Sequence, residues 1–172
     1  MTKDISIEDI SIRTEIRPGD LGYIIYLHGI LYGKEYHYSP AFEIYVAKGL
    51  HEFYTQYDPL RDRVWICEHD QKIVGFLLLM HRSEKVAQLR FLILLPEFRG
   101  LGLGKLLLEK YMAFLRDSNY QSAFLWTTHE QVAAASLYIL FGFKLTEEKE
   151  SSDFGKSLTE QRYDFHNKPS SG

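Results

Sequence analysis

Three glycines at alternate positions, Gly100, Gly102 and Gly104, stand between two apolar segments of the chain. The preceding residues, 86–95, are typical of a strand buried on both sides, and the following residues, 103–118, carry leucines at helical spacing. A glycine turn between a strand and a helix can direct several backbone N–H groups at one anion, which the helix dipole also favours. This pattern predicts a pyrophosphate-binding turn. A tight turn that needs glycine only for steric reasons is the alternative interpretation.

Two common phosphate-binding motifs do not fit this turn. A dinucleotide fingerprint G-x-G-x-x-G that began at Gly102 would need a glycine in place of Leu107. The same fingerprint begun at Gly100 would need a glycine in place of Lys105. The P-loop pattern would need a glycine in place of Arg99, so the turn is described as Arg-x-x-Gly-x-Gly.

A second pattern follows the turn along the chain. Residues 123–128 are typical of a strand, and residues 131–140 form a small-residue segment at helical spacing that contains Tyr138. Gly142 is predicted to end this helix at the C′ position, and Phe143 begins the next strand. Taken alone, Tyr138 fits a half-buried core tyrosine whose hydroxyl is bonded locally. In this order and at this separation, the two patterns reinforce each other.

Both patterns resemble motifs of one family, the GNAT superfamily of acetyl-CoA-dependent N-acetyltransferases. Residues 99–104 match its R/Q-x-x-G-x-G/A coenzyme motif, and residues 137–143 match its L-Y-x-x-x-G-F motif. The resemblance extends over nearly the whole chain. More narrowly, residues 16–23, 26–29 and 161–163 resemble a bacterial subgroup that is either free-standing or fused behind a MarR-type winged-helix regulator. The chain begins close to its predicted first strand, so we expect no such DNA-binding domain in it.

The resemblance implies the layout of the site and its acetyl-CoA cosubstrate. It implies that the turn amides hold the pyrophosphate, while Arg99 adds charge or fixes the turn, and that the pantetheine arm lies along residues 92–94. The backbone N–H of Leu94 would stabilise the developing oxyanion, and Tyr138 would assist the departing thiolate. Many family members carry an asparagine near the position of Gln131. The implied coenzyme-binding residues are Leu92, Leu94, Arg99, Gly100, Leu101, Gly102, Leu103, Gly104, Lys105, Gln131 and Tyr138.

Tyrosines crowd residues 23–57, a region that covers the acceptor site in the family. We therefore predict that Tyr32 and Tyr36, together with Trp126, contact the acceptor; ordinary core and surface tyrosines are the alternative interpretation. The acceptor is expected to be a small-molecule amine or a peptide or protein amine. The general base is left open among Glu35, Glu43, Glu52, His28, His129 and Glu130.

Composition excludes several other classes of function. A formal net charge of −3 gives no reason to expect nucleic-acid or membrane partners, and the apolar runs are too short to cross a bilayer. Cys67 is the only cysteine, so no internal disulfide can form, and we expect a core side chain and a cytoplasmic location. Seven scattered histidines without an HExxH pattern predict no metal site. Dimers are common in the superfamily, so a homodimer is possible.

The predicted elements follow the order β-α-α-β-β-β-α-β-α-β-β. This order indicates an α+β fold, a single GNAT-like domain over residues 1–166 with a mixed, mostly antiparallel sheet of about seven strands flanked by four helices. The first strand is predicted at residues 5–17, with Asp20 as the N-cap of the helix that follows. Residues 167–172 are predicted to form a flexible polar tail. The predicted function is acetyl transfer to an amine by direct attack, and a non-catalytic acyl-CoA-binding sensor is the alternative.

Overall fold

The computed structural model describes residues 4–168 and contains one sheet with helices on both faces. The sheet has seven strands in the order β1-β2-β3-β4-β5-β7-β6, and β4 and β5 form its parallel pair. The α+β fold is therefore confirmed. The strands are β1 (Ser11–Arg13), β2 (Arg63–His69), β3 (Lys72–Ser83), β4 (Val86–Leu94), β5 (Ser122–Thr128), β6 (Lys144–Ser151) and β7 (Leu158–His166), and the helices are α1 (Asp20–Tyr36), α2 (Pro40–Thr55), α3 (Leu103–Asp117) and α4 (Val132–Leu140).

The core lies in two layers on opposite faces of the sheet. The apolar faces of α1 and α2 cover one face, and α3 with Tyr138 of α4 covers the other. Alternate residues of β2 belong to different layers: Ile66 packs in the first and Cys67 in the second. Cys67 is fully buried, and this burial raises the pKa of its thiol to about 12. The thiol therefore stays protonated and packs as a core side chain.

The predicted first strand is much shorter than expected. Residues Ile7–Asp9 form a 3₁₀ turn, and only Ser11–Arg13 pair with β2. Ser6 and Asp9 form a capping box, in which each side chain accepts the other residue's backbone N–H. These local bonds offer the backbone an alternative to strand pairing, which explains why the prediction over residues 5–17 was wrong.

Helix α1 begins one residue earlier than the predicted cap implies. Its N-cap is Gly19, with φ +94°, and Asp20 is the first helical residue. The Asp20 carboxylate accepts two hydrogen bonds of 2.7 Å from the Arg13 guanidinium and one of 2.6 Å from the Arg17 N–H. The Asp20 side chain therefore forms a buried ion pair that links β1 to α1, and it does not cap the helix. Glycine occupies the N-cap position because it tolerates positive φ.

Strands β4 and β5 pair only at one end. Their parallel register runs from Val86–Gln88 against Ser122–Phe124 and then stops, so the two strands diverge. Close to the divergence, β4 contains a bulge in which Phe91, with φ +60°, and Leu92 face the single residue Leu77 of β3. The prediction that both faces of this strand are buried is confirmed, because Ile93 packs in the layer of α1 and α2 while Leu92 and Leu94 pack against the layer of α3; beyond the bulge, however, one edge of β4 faces the gap instead of a neighbouring strand.

The end of the chain was predicted as a flexible polar tail over residues 167–172. Asn167 donates hydrogen bonds to the carbonyls of Gln121 and Tyr120, at 2.8 and 2.7 Å. Residues 169–172 lie outside the described part of the chain.

A buried histidine makes the fold sensitive to acid. His28 is 1% exposed, and burial lowers the pKa of its ring to about 4, although Nδ1 contacts the Ile24 carbonyl at 2.8 Å. An unfolded histidine has a pKa of about 6.5, so the unfolded state binds the extra proton first as pH falls. The free energy of unfolding should therefore drop by about 3 kcal/mol between pH 7 and pH 4 through this residue alone.

Urea unfolding of the wild type and of His28→Leu at pH 7, 5.5 and 4.5 measures this contribution. The variant should lose most of the pH dependence between pH 6.5 and 4. The matched control His51→Leu, at an exposed position of α2, should keep it. Equal slopes for the wild type and His28→Leu would contradict the assignment.

Candidate active site

The glycine turn enters α3 with free backbone donors. Gly100 and Gly102 have φ values of +78° and +85°, which side-chain-bearing residues adopt at a cost, so the turn needs glycine at both positions. Gly102 is the N-cap and supplies no side-chain acceptor. The first bond of the helix runs from the Leu106 N–H to the Gly102 carbonyl, so the amides before Leu106 have no intrahelical acceptor. With Lys105 in the first turn and no acidic residue there, this end of α3 attracts an anion.

The turn opens onto a cleft of about 390 Å³ between β4, α1 and α4. Gly104 forms part of its wall, where an added Cβ would lie 3.2 Å from a Leu137 methyl group and 3.6 Å from a Leu94 methyl group. The cleft is therefore an elongated space with donors at one end and an apolar wall, a shape that suits a phosphate carried on a long chain. Its lining includes Tyr32, Tyr36, Leu92, Ile93, Leu94, Arg99, Gly100, Gly102, Leu103, Gly104, Lys105, Gln131, Ala133, Ala134 and Leu137. Leu101, the remaining predicted residue of the turn, lies against the core of the α3 layer.

The backbone of Leu94 faces the gap between the strands. Leu95 N–H bonds to the Val74 carbonyl at 2.9 Å, so these two residues form a hydrogen-bonded pair of the antiparallel ladder. The next pair, Gly75 and Leu94, is then a non-bonded pair whose N–H and C=O groups point away from each other. The Leu94 N–H is thus directed away from β3, toward the side where β5 has diverged.

Arg99 fastens the turn to helix α1. Its guanidinium donates to both oxygens of Glu35, at 2.7 and 3.1 Å, and to the Leu94 carbonyl at 3.2 Å. The hydrogen bond to Glu35 raises the pKa of Arg99, which keeps it charged. These contacts support a role for Arg99 in fixing the conformation of the turn. Its positive charge lies at the edge of the cleft.

Tyr138 lies in the core layer of α3, directly after Leu137 of the cleft wall, and does not line the cleft itself. It is 5% exposed, in contact with the rings of Phe143 and Tyr163, and burial raises the pKa of its hydroxyl above the ordinary value. The hydroxyl therefore remains protonated at physiological pH and can donate a hydrogen bond. Such a group suits an acid that assists a leaving group and does not suit a base.

A second space, of about 60 Å³, lies on the α1 and α2 side of the gap. Tyr32, Leu92 and Gln131 line both this chamber and the cleft, so the two spaces share a wall. Of the predicted acceptor residues, Trp126 lines the chamber and Tyr36 the cleft. Tyr32 also donates a long hydrogen bond of 3.5 Å to the Leu92 carbonyl. The chamber is lined by His28, Tyr32, Phe42, Tyr45, Gln88, Leu89, Arg90, Phe91, Leu92, Trp126, Thr127, Thr128, Gln131, Tyr138, Phe154 and Glu160.

The candidate bases are scattered around this site. Glu35 is bound to Arg99, Glu130 to Lys156 at 2.9 Å, and His129 accepts the Thr159 N–H at 3.1 Å. Glu52 forms an ion pair with Arg82 and is half exposed. His28 is the candidate that lines the chamber, and its Nε2 has no hydrogen-bond partner within residues 4–168. Glu43 does not line either space.

The sequence analysis missed five polar residues of the chamber: Gln88 and Arg90 on β4, Thr127 and Thr128 on β5, and Glu160 on β7. The Thr127 hydroxyl and Oε2 of Glu160 are buried without a hydrogen-bond partner in the described residues. Glu160 lies opposite Thr128 in the register of β5 and β7. The only sequence signal for Glu160 was a charged residue in an otherwise ordinary strand, and such residues normally face solvent.

Residues 4–168 contain neither a candidate metal-binding cluster nor a membrane-spanning helix. No group of three or more His, Cys, Asp or Glu side chains among them could hold a metal ion. None of the helices in this part of the chain is long and apolar enough to cross a membrane.

Comparison with known proteins places the chain in a family. Residues 31–143, more than half of the chain, match the family model described as the acetyltransferase (GNAT) family. Human N-acetyltransferase 8B is 34% identical over 87 residues, an alignment that covers 48% of this chain and 38% of that protein. The chain spans between 30% and 57% of the length of the curated relatives that it matches.

Solved structures share the fold at low sequence identity. An acetyltransferase from Streptococcus agalactiae has a TM-score of 0.72 and 21% identity, with 94% of this chain and 100% of that chain covered. A GNAT family acetyltransferase from Elizabethkingia anophelis, solved with acetyl-CoA bound, has a TM-score of 0.64 and 13% identity, covering 93% and 99%. The match of residues 31–143 to the family model, on a fold with the diverging β4 and β5 strands described above, establishes that this chain belongs to the acetyltransferase (GNAT) family.

Proposed function

We propose that this protein is an N-acetyltransferase that transfers an acetyl group from acetyl-CoA to a primary amine by direct attack. The observation that carries the proposal is the junction at the gap between β4 and β5. The cleft, which includes the glycine turn, and the chamber, which Tyr138 lines, share Tyr32, Leu92 and Gln131 as wall residues next to this gap. The backbone N–H of Leu94 is directed toward the same gap.

The residues of the cleft fit acetyl-CoA as the donor substrate. The amides of residues 100–105 supply donors for the pyrophosphate, and Lys105 adds a positive charge. The exposed edge of β4 at residues 92–94 offers backbone groups to an extended arm in the manner of an added strand. Gln131, which starts α4, lines the cleft at the position where family members often carry asparagine, and its longer amide can take the same contact.

The reaction needs a hydrogen-bond donor at the carbonyl and one at the sulfur. The uncharged amine attacks the thioester carbon, the C–N bond forms and the C–S bond breaks, giving an amide and a thiol. The Leu94 N–H would stabilise the charge that develops on the carbonyl oxygen. Tyr138, kept protonated by burial, would stabilise the charge on sulfur. One proton leaves the amine and one reaches the sulfur, so no further reactant is required.

The pKa of the acceptor amine determines the free energy that its deprotonation requires at neutral pH. Deprotonating a lysine-like amine of pKa about 10.4 at pH 7 costs about 4.6 kcal/mol, whereas an α-amine near 7.7 costs about 1 kcal/mol. His28 lines the chamber, and its Nε2 has no hydrogen-bond partner within residues 4–168, so it can accept a hydrogen bond from the amine; burial lowers the pKa of the ring to about 4, which makes it too weak a base to hold the amine's proton. We expect the acceptor to be a small-molecule amine or the amine of a peptide or protein.

A non-catalytic acyl-CoA-binding sensor is the alternative function. Both functions predict binding of acetyl-CoA, and only the enzyme releases CoA thiol in the presence of an amine panel. Tight binding without thiol release would contradict the proposal in favour of the sensor. The resemblance to the MarR-associated bacterial subgroup, the cytoplasmic location and a homodimer stay predictions.

The Tyr138→Phe variant tests the assistance to the leaving group. Loss of the hydroxyl should lower kcat about 100-fold, because the transition state loses a donor at the sulfur, and should leave the Kd for acetyl-CoA within about twofold. Steady-state kinetics and calorimetry measure the two quantities. Tyr111→Phe is the matched control, because the Tyr111 hydroxyl is buried without a partner within residues 4–168 and lines neither space. Wild-type kcat in Tyr138→Phe would remove this residue from the mechanism.

The Gly104→Val variant tests the position of the donor substrate. The added side chain would fill the cleft wall between Leu94 and Leu137, so the Kd for CoA should rise at least about tenfold. Calorimetry measures this, with circular dichroism to verify the fold. Gly22→Val is the control, since Gly22 lies in the first turn of α1 with open space around it. Unchanged CoA affinity in a folded Gly104→Val protein would place the coenzyme elsewhere.

A further inference from the structure

The chamber carries a largely buried guanidinium whose only ionic contact within residues 4–168 is a long one. Arg90 is on β4 directly before the bulge, and its side chain is only 10% exposed. Within residues 4–168 its guanidinium makes no hydrogen bond. The nearest carboxylate is Glu52, at 3.6 Å, which is half exposed and also pairs with Arg82. Because a largely buried guanidinium without close acceptors is costly, a bound acceptor group would stabilise it.

The surroundings of Arg90 hold it in one position. The guanidinium lies 4.6 Å from the centre of the Phe91 ring and 5.5 Å from that of Tyr45. Gly49 of α2 permits this arrangement, because a Cβ there would lie 2.6 Å from Nη2 of Arg90 and 2.4 Å from the Phe91 ring. An arginine fixed between aromatic rings, with its donors free, is arranged to bind a planar anion such as a carboxylate.

The chamber also contains an opposite charge. Glu160 of β7 is 7% exposed, and its Oε2 has no hydrogen-bond donor among the described residues; the nearest cation, the Lys149 amine, is 3.9 Å away. His28 and Thr127 also line the chamber, and Nε2 of His28 and the Thr127 hydroxyl are buried without a hydrogen-bond partner in residues 4–168. The chamber thus presents one free cationic group and several free acceptors in a space that holds only a small molecule.

We propose that the acceptor is a compact amino acid, whose carboxylate is bound by Arg90 and whose amine is held beside Glu160 at the gap. This inference rests on the proposed function and adds the chemical class of the acceptor. The carboxylate supplies the acceptors that the guanidinium lacks, and the ammonium supplies donors to Glu160, so each buried charge gains its partner on binding. A simple alkylamine or an amino acid amide satisfies only one of the two.

The test compares each of the twenty amino acids with its primary amide and with the amine that lacks the carboxyl group. Release of CoA thiol from acetyl-CoA is the readout. At least one amino acid should have a kcat/KM about tenfold or more above that of its amide. Equal kcat/KM values for amino acids and amides would overturn the inference and leave the acetyltransferase function intact. Absence of thiol release with every amine, from folded protein that binds acetyl-CoA, would overturn both.

Variants of Arg90 and Glu160 distinguish a loss of acceptor recognition from a general loss of activity or folding. Arg90→Gln should lower kcat/KM for the preferred amino acid about 10- to 100-fold and leave that of its amide unchanged, while Arg90→Lys should restore part of the loss. Glu160→Gln should raise KM for the amino acid and its amide alike, because both carry the amine. A preference for the amino acid that survives Arg90→Gln would contradict the assignment.

The matched control is Arg63→Gln. Arg63 also stacks on an aromatic ring, with its guanidinium 4.5 Å from the centre of Phe114, and it does not line the chamber. Its replacement should leave the ratio of the two kcat/KM values unchanged. Thermal unfolding of each variant verifies that the proteins compared are folded.

Discussion

The divergence of β4 from β5 leaves one edge of a central strand without a partner, and the site is built on that edge. Unpaired backbone groups are costly, so each must find another partner. The Leu92 carbonyl accepts from the Tyr32 hydroxyl, and the Leu94 carbonyl accepts from Arg99. Helix α1 and the glycine turn thus satisfy the carbonyls of this edge. The Leu94 N–H remains directed into the gap, where a substrate carbonyl can accept it.

The same gap joins two spaces of different chemistry. On one side the turn at Gly102 offers free amides and positive charge, which suit a phosphate. On the other side the chamber presents Arg90 and Glu160, each buried without a full partner. The ion pair between Arg99 and Glu35 links the two spaces, because it holds the glycine turn against helix α1, which also lines the chamber. The two spaces therefore meet at Tyr32, Leu92 and Gln131, the residues that line both.

Most of the fold followed from local patterns. The elements predicted over residues 86–95, 103–118, 123–128 and 131–140 lie within one residue of their observed bounds, because apolar spacing and turn residues agree with the tertiary structure there. The exceptions are places where a side chain makes a hydrogen bond or an ion pair that the local pattern does not predict. Ser6 and Asp9 cap each other and shorten the first strand, and Asp20 forms an ion pair with Arg13 instead of capping α1. Local sequence propensity does not reveal these contacts, because the partner residue is remote in the chain or because a local hydrogen bond competes with strand pairing.

The sequence by itself determined the glycine turn, the tyrosine of the second motif and the family to which both belong, because these features lie within short windows. Only the tertiary structure decided which residues line the chamber. Arg90 and Glu160 lie 70 positions apart in the chain, on strands separated in the sheet by β5. Each has the appearance of an ordinary surface charge in its own segment. Their burial in one chamber arises from where β4 and β5 separate and from how closely α2 approaches at Gly49, which are properties of packing across the whole domain.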